Sequence, residues 1–195
     1  YYIGDIHGRN DLLMELLAFI ENDARQRGHA PIVGFLGDII DRGKQSKQAM
    51  DTVYKTLADW EGSILHLGNH DEWLLNALAA NGESSDVDIW IANGGFHTLE
   101  SYDAIFDDQI ISRIREANPH HLKMLSNASL YSENGRLIAA HAGIYPGIPL
   151  RQQEGHYFNW IRDQFLNHID PNSRPVVHGH TILGSLPVVT ENRIS

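Results

Sequence analysis

The sequence contains no cysteine. That excludes disulfide cross-links, thiolate metal sites and any thiol nucleophile, and with them the cysteine-dependent phosphatases and proteases. No apolar run approaches the ~18 residues of a transmembrane helix, and the first residues show no secretory signal pattern. Basic residues are few: 15 Lys and Arg stand against 25 Asp and Glu, a formal net charge of −10. Such a balance argues against a surface that coats nucleic acid, and no aromatic–basic stripe supports a nuclease. It leaves room for an anionic substrate, because bound cations invert the local field. The expectation is a cytoplasmic protein with no membrane partner.

A chain of 195 residues, 42% hydrophobic and 21% charged, fits one domain (1–195) with a sizeable core. It starts without Met inside an apparent strand and stops on Thr190-Glu191-Asn192-Arg193-Ile194-Ser195, an apparent strand start. Both ends are therefore expected to be trimmed. Twelve histidines are many for this length, and their placement carries the information.

Gly37-Asp38-Ile39-Ile40-Asp41-Arg42-Gly43 organises the chain. The apolar run Ile32–Leu36 that feeds it reads as a buried strand. Charges arriving where such a strand ends are costly without partners, and ligands bind at the carboxyl edge of α/β sheets. A metal or phosphate site there competes with a solvated turn holding a local Asp–Arg pair. Tyr1-Tyr2-Ile3 likewise runs into Gly4-Asp5-Ile6-His7-Gly8, followed by a helix over 10–27 with Leu12, Leu13, Leu16, Leu17 and Ile20 at helical spacing. A second helix is expected over 48–60, with Met50, Val53, Tyr54 and Leu57 inward. The strand 63–67 runs into Gly68-Asn69-His70-Asp71 and a helix to about Ala80. Strand, polar loop and helix thus recur three times, the pattern of an α/β sheet.

Residues of about 82–127 read as a helical insert over one rim of the sheet. Asn134-Gly135 predicts a type I′ hairpin whose second strand ends on His141. A helix is expected over 157–166. The strand 175–177 ends on His178-Gly179-His180, and a last, incomplete hairpin follows at 187–194.

Five predicted strands thus end on residues of metal-ligand type: Asp5 and His7, Asp38, Asn69, His141, and His180. Each singly has a plain reading as a turn former or a core histidine. Jointly, at five strand ends beside glycines, they point to metal. Oxygen and imidazole donors suit Mn²⁺, Fe or Zn²⁺. Six ligands exceed the needs of one tetrahedral zinc and suit two divalent ions ~3.5–4 Å apart with one bridging carboxylate, for which Asp38 is the choice.

The ordered motifs GDIHG, GDIIDRG, GNHD, HAG and HGHT resemble the phosphoprotein phosphatase branch of the calcineurin-like metallophosphoesterases, closest to the small bacterial serine/threonine-type enzymes. The resemblance spans Gly4 to Thr181. It implies an α/β fold, a β-sandwich of two mixed sheets flanked by helices, and a dinuclear centre with Mn first among the metals. Carried over by motif, Asp5 and His7 would hold the first metal, Asp38 would bridge, and Asn69, His141 and His180 would hold the second. His70 would be the general acid, with Asp41 paired to it. Arg42 would grip phosphate, with Asn69 beside it and Arg162 as the second arginine; Arg151 and Arg174 are its alternatives. His178 would be a support residue. The implied reaction is direct hydrolysis of a phosphomonoester, on a phosphorylated protein or a small phosphate ester, without a phosphoenzyme.

Two positions depart from the pattern. Asp71 stands where the protein phosphatases more often carry Glu, a departure shared with diadenosine polyphosphate hydrolases of the same branch, and Lys44 stands where Pro is common. A dinucleoside polyphosphate hydrolase is therefore the runner-up, and a non-catalytic phosphate-recognition module the rival from another class. Within the insert, Trp90, Phe96, His97 and Tyr102 are candidates for the substrate entrance, with packing the preferred role for Trp90 and Ile91.

Overall fold

The computed structural model describes residues 1–80, 87–102, 107–169 and 174–195. Strands β1 (Tyr2–Ile3), β2 (Gly34–Phe35) and β3 (Ile64–Leu65) form a parallel sheet in that order. Helices α1 (Asn10–Gln26) and α2 (Ser46–Asp59) connect them, and α3 (Asn69–Ala79) follows β3. A second sheet has the order β4 (Tyr131–Glu133), β5 (Ile138–Ala140), β6 (Val176–Val177), β7 (Arg193–Ile194). Only the β4–β5 pair of the second sheet is antiparallel. The expected two-sheet α/β architecture flanked by helices is present.

The regular strands are shorter than the apolar runs that predict them. Ile32–Leu36 contributes only Gly34–Phe35 to regular pairing, although the N–H of Leu36 still reaches the Ile3 carbonyl at 2.8 Å. Beyond it, Gly37 (φ +96°) and Asp38 (φ +51°) turn the backbone out of the sheet. Val33 and Phe35 are fully buried, and the core they join includes Ile39, Ile40, Met50, Val53, Leu74 and Trp90. Helix α1 buries Leu13, Leu17, Ile20 and Ala24. Leu12 and Leu16, one position off that stripe, are exposed. Tyr54 corrects the expected inward face of α2: the buried stripe is Ser46, Ala49, Met50, Val53 and Thr56, and one residue beyond Val53 is rotated ~100° from it.

The insert is helical where it is described. Helix α4 (Val87–Trp90) and helix α5 (Phe96–Tyr102) are joined across a kink at Gly94 (φ +115°), and α6 (Ile110–Ala117) and α7 (Pro119–Ser126) follow. These helices pack against α2 and α3. The polar run Ser84-Ser85-Asp86 lies outside the described residues.

Two further expectations are corrected. Neither Asn134 nor Gly135 adopts the positive φ that a type I′ turn requires. Instead the Asn134 side chain accepts from the N–H groups of Arg136 and Leu137 at 2.8 and 3.0 Å. The helix expected over 157–166 is two helices, α8 (Gly155–Trp160) and α9 (Asp163–Leu166). Ile161 is extended (φ −61°, ψ 144°) and Arg162 has φ −132°, ψ −101°, so the helix breaks at the arginine.

Candidate metal centre

The loops leaving β1, β2, β3, β5 and β6 meet at one edge of the two sheets. The backbone there is strained: His7, Asp38, Asp41, Arg42 and His180 all have φ between +45° and +73°. Non-glycine residues rarely adopt this region, and it clusters where function over-determines the backbone. The N–H groups of Ile6 and His7 both donate to the Asp38 carbonyl at 2.9 Å, joining the first loop to the second. The backbone N–H of His180 donates to the Asp5 carboxylate at 3.0 Å, across 175 positions of sequence.

Each ligand-type side chain is oriented by a second contact. His7 Nδ1 lies 2.8 Å from the Ile40 carbonyl, which fixes its proton there and turns Nε2 toward Asp5 and Asp38, at 3.8 and 3.7 Å. His141 Nδ1 meets the Leu36 carbonyl at 2.8 Å, and its Nε2 lies 3.0 Å from Asn69 Oδ1 and 3.4 Å from Asp38 Oδ1. His180 Nδ1 is 2.9 Å from the same Asn69 oxygen. Ligand atoms of His7, Asp38 and His70 lie within 4.8 Å of one another, as do those of Asp38, His141 and His180. Asp38 belongs to both groups.

The arrangement fits divalent cations. Nε2 of His7 and of His180 are buried with no hydrogen-bond partner among the described residues, and a buried polar atom without a partner calls for an explanation such as an ion. Burial pushes His7 down to about 4 and His180 down to about 3, and also lowers His141. All three are therefore neutral imidazoles with a lone pair to offer. Burial, then the charge of Asp5, raises Asp38: a metal-free pocket disfavours its carboxylate, and a cation removes that cost.

Asn69 and His70 open helix α3 rather than sitting in a loop before it, and the His70 N–H donates to Asp38 at 3.0 Å. Asp71, one of the departures from the expected pattern, is buried. It accepts from the N–H of Ile39 at 2.9 Å and of Gly68 at 3.2 Å, stitching the loop after β2 to the start of α3. The His70 ring joins Asp41 through Nδ1 at 2.6 Å. Arg42 reaches His70 Nε2 at 3.2 Å.

Arg162 donates to the Thr181 hydroxyl at 3.0 Å, next to His180, and its charge adds to the lowering of the His180 pKa. Arg174 is engaged by Glu133 and the Asn134 carbonyl on the β4–β5 hairpin, and Arg151 is exposed. His178 is buried, its ring edge-on to Phe165, which suits a support residue. Lys44 is exposed beside Gly43.

Sequence reasoning missed three contributors. Trp90 is fully buried, as a packing residue would be, but its indole N–H also donates to both oxygens of Asp41, at 3.0 and 2.9 Å. Thr98 donates to Asp41 Oδ1 at 2.6 Å, and Ser46 accepts the Asp41 N–H at 3.1 Å. The one available signal was the Trp90 and Thr98 pair flanking Gly94-Gly95. Tyr102, expected near the entrance, instead bonds His121 at 2.6 Å, and His121 bonds Asp51 at 2.9 Å. With His120 these form a second His–Asp cluster. Lys47 holds the other Asp51 oxygen at 2.8 Å, so this network ties α2 to α5 and α7 with its members paired.

Among the described residues no helix is long and apolar enough to cross a membrane. The profile of the calcineurin-like phosphoesterases matches residues 1–190. An asymmetrical bis(5'-nucleosyl)-tetraphosphatase, PrpE, from Anoxybacillus flavithermus is 32% identical over 148 residues, 73% of this chain and 56% of that protein. Serine/threonine-protein phosphatase 2 of Salmonella typhimurium is 26% identical over 201 residues, 94% of this chain and 79% of that protein. Serine/threonine-protein phosphatase 1 of the same organism is 32% identical over 171 residues, 86% and 70% of the two chains. The chain therefore spans little more than half of the first relative's length. A crystal structure of a mutant cold-active protein tyrosine phosphatase superposes with a TM-score of 0.54 at 19% identity, covering 99% of this chain and 69% of that one, which speaks for the fold. With the profile covering nearly its whole length, the chain belongs to the calcineurin-like phosphoesterases, a family of metal-dependent hydrolases acting on phosphoester bonds.

Proposed function

We propose that this chain is a dinuclear metal-dependent phosphomonoesterase, with phosphorylated protein as its leading substrate class. The observation that carries the reading is Asp38, a member of both ligand groups, with the unpartnered Nε2 atoms of His7 and His180 on either side. Asp5, His7 and Asp38 would hold one cation, and Asp38, Asn69, His141 and His180 the other. Bound there, two divalent cations supply Lewis-acid chemistry, neutralising phosphate charge and acidifying water. Manganese is the first choice, with iron or zinc as alternatives, since the oxygen and imidazole donors do not discriminate among them.

The protein's own groups do the rest. Arg42, bonded to His70, and Arg162, bonded to Thr181 beside His180, would bind the phosphate, since their planar forks match its oxygens. Water attacks phosphorus in line, and the bond to the leaving oxygen breaks with its electron pair on that oxygen. His70, carrying a proton on Nε2 when it enters the step, delivers it to that oxygen and is recharged by the proton that the attacking water sheds, so that an alcohol and inorganic phosphate depart. Asp41 keeps the imidazole in the orientation this requires.

A second reading, hydrolysis of dinucleoside tetraphosphates, draws support from the PrpE relative and from the exposed Lys44 next to Arg42. Turnover of an aryl phosphate, a phosphopeptide and diadenosine tetraphosphate, measured with Mn²⁺ and again after chelation, tests both. Loss of all turnover on chelation with recovery on adding Mn²⁺ is expected, and phosphopeptide should be the better substrate. Activity indifferent to chelation rejects the reading, and a preference for diadenosine tetraphosphate selects the second one.

A further inference from the structure

The Asp41 carboxylate is fully buried and is held on several sides. His70 Nδ1 lies 2.6 Å from Oδ2, the Trp90 indole N–H points between the two oxygens, and the Thr98 hydroxyl donates to Oδ1 at 2.6 Å. The same Thr98 oxygen accepts the backbone N–H of Asp41 at 3.0 Å, so one hydroxyl fixes both the main chain and the side chain of a residue at φ +73°. The next N–H, of Arg42 at φ +66°, donates to the Gly94 carbonyl at 3.3 Å. Gly94 sits at φ +115°, where an L side chain is strained, and a Cβ there would lie a tight 3.1 Å from Arg42 Cγ and from Arg42 N, so the position favours glycine.

Trp90, Gly94 and Thr98 all belong to the insert between α3 and β4. We propose that Trp90 and Thr98 are positioning residues for proton delivery: they lock the Asp41 carboxylate, which in turn holds the His70 imidazole toward the leaving group. The proposal rests on the reading of His70 as the general acid.

Packing alone would bury the Trp90 ring without requiring its N–H to meet a carboxylate. The terminal torsion of an aspartate is soft and broad. A carboxylate gripped by His70 alone would swing, whereas donors from Trp90 and Thr98 leave His70 one direction of approach. The insert thus acts from behind the proton donor instead of merely framing the entrance.

The test uses Trp90→Phe, which keeps a ring but removes the N–H, Thr98→Val, which keeps the shape but removes the hydroxyl, and Thr98→Ser, which restores it. kcat/KM is measured with Mn²⁺ across aryl phosphates whose leaving phenols range from strongly to weakly acidic, beside metal content and thermal stability. A leaving group that is a weak acid depends most on the donated proton. Trp90→Phe and Thr98→Val should therefore lose about tenfold on phenyl phosphate, a fraction of the general-acid range, and only about two- to threefold on 4-nitrophenyl phosphate. Thr98→Ser should behave as the parent protein, and metal content should not change.

His70→Asn, run in parallel, separates the two layers. A steep leaving-group dependence in His70→Asn with uniform or absent losses in Trp90→Phe and Thr98→Val overturns the positioning role alone. A flat response in His70→Asn overturns the acid assignment and the proposal with it. Should Trp90→Phe fail to fold, the Thr98→Val and Thr98→Ser pair decides by the same criterion.

Discussion

Arg42 donates to His70 at Nε2, 3.2 Å away, the atom from which the proposed reaction sends its proton. A nitrogen that accepts from a guanidinium carries no proton itself, so the dyad as it stands is at rest. A bound phosphate offers Arg42 a better, charge-assisted partner and frees Nε2. Arg42→Ala should therefore weaken competitive inhibition by inorganic phosphate and lower kcat/KM for an aryl phosphate by about 10–100-fold, in line with ~1.5–3 kcal/mol for a hydrogen bond to a charged group. Metal content should be unchanged. A variant that hydrolyses and binds phosphate as the parent does would remove Arg42 from the phosphate site.

The paired His70 is tested directly by His70→Asn. Turnover of an aryl phosphate should fall by roughly 10²–10⁴, the range of general acid catalysis, while metal analysis gives the parent stoichiometry. An unchanged rate rejects the assignment.

Asp38 is the one carboxylate common to both ligand groups. Replacing it should therefore damage both sites together. Asp38→Asn is expected to lose metal stoichiometry and nearly all activity, whereas His141→Asn should spare the ion held by Asp5 and His7. Metal analysis after gel filtration distinguishes these outcomes, and full occupancy in Asp38→Asn would sink the shared-ligand picture.

The pH dependence of the metal-free protein has two opposed parts. His7 and His121, held at about 4, and His180, held at about 3, are neutral when folded but bind protons near 6.5 when unfolded, and they outnumber the two carboxylates that oppose them. They add stability as pH rises to about 6.5. Asp38 and Asp71, raised by burial to about 7 and about 8, hold protons that the unfolded chain releases near 4. Their contribution falls as pH rises through that window, and above about 6.5 it is no longer offset by the histidines. Thermal stability in chelator should accordingly peak near pH 6.5. Mn²⁺ must displace the Asp38 proton, so the increment in melting temperature that it produces should grow from pH 5 to pH 8. An increment that shrinks with pH would contradict the role of Asp38.

Gly68 and Gly135 offer a contrast within one protein. A Cβ on Gly68 would lie 2.2 Å from the Asp38 backbone nitrogen, whereas one on Gly135 meets nothing within 4 Å. Gly68→Ala should cost at least about 1–3 kcal/mol, read as a lower denaturation midpoint, together with reduced metal affinity. Gly135→Ala should stay within about 0.5 kcal/mol of the parent. Equal effects at the two positions would refute the close approach.

Much of the candidate site was legible because its parts sit at strand ends, where apolar runs stop abruptly on polar residues. Asp5, Asp38, Asn69, His141 and His180 announce themselves in this way. The strand lengths were less readable, since Ile32–Leu36 is apolar throughout and only backbone geometry shows where pairing stops. Tyr54 was misplaced because hydrophobic character does not say which side of a stripe's margin faces water. The break at Ile161 and Arg162 left no glycine or proline to mark it. Trp90 escaped as a functional residue because an indole buried in a core and an indole that also donates to a carboxylate look the same in one dimension.

The bond from the His180 backbone to Asp5 has a consequence for assembly. Two segments 175 positions apart in sequence must both be in place before the pocket exists, so the centre joins the two sheets as a keystone joins two arches. Local loosening of β6, which carries His180 into the site three residues beyond Val177, would open the pocket while leaving the first sheet standing, and inactivation should run ahead of global melting.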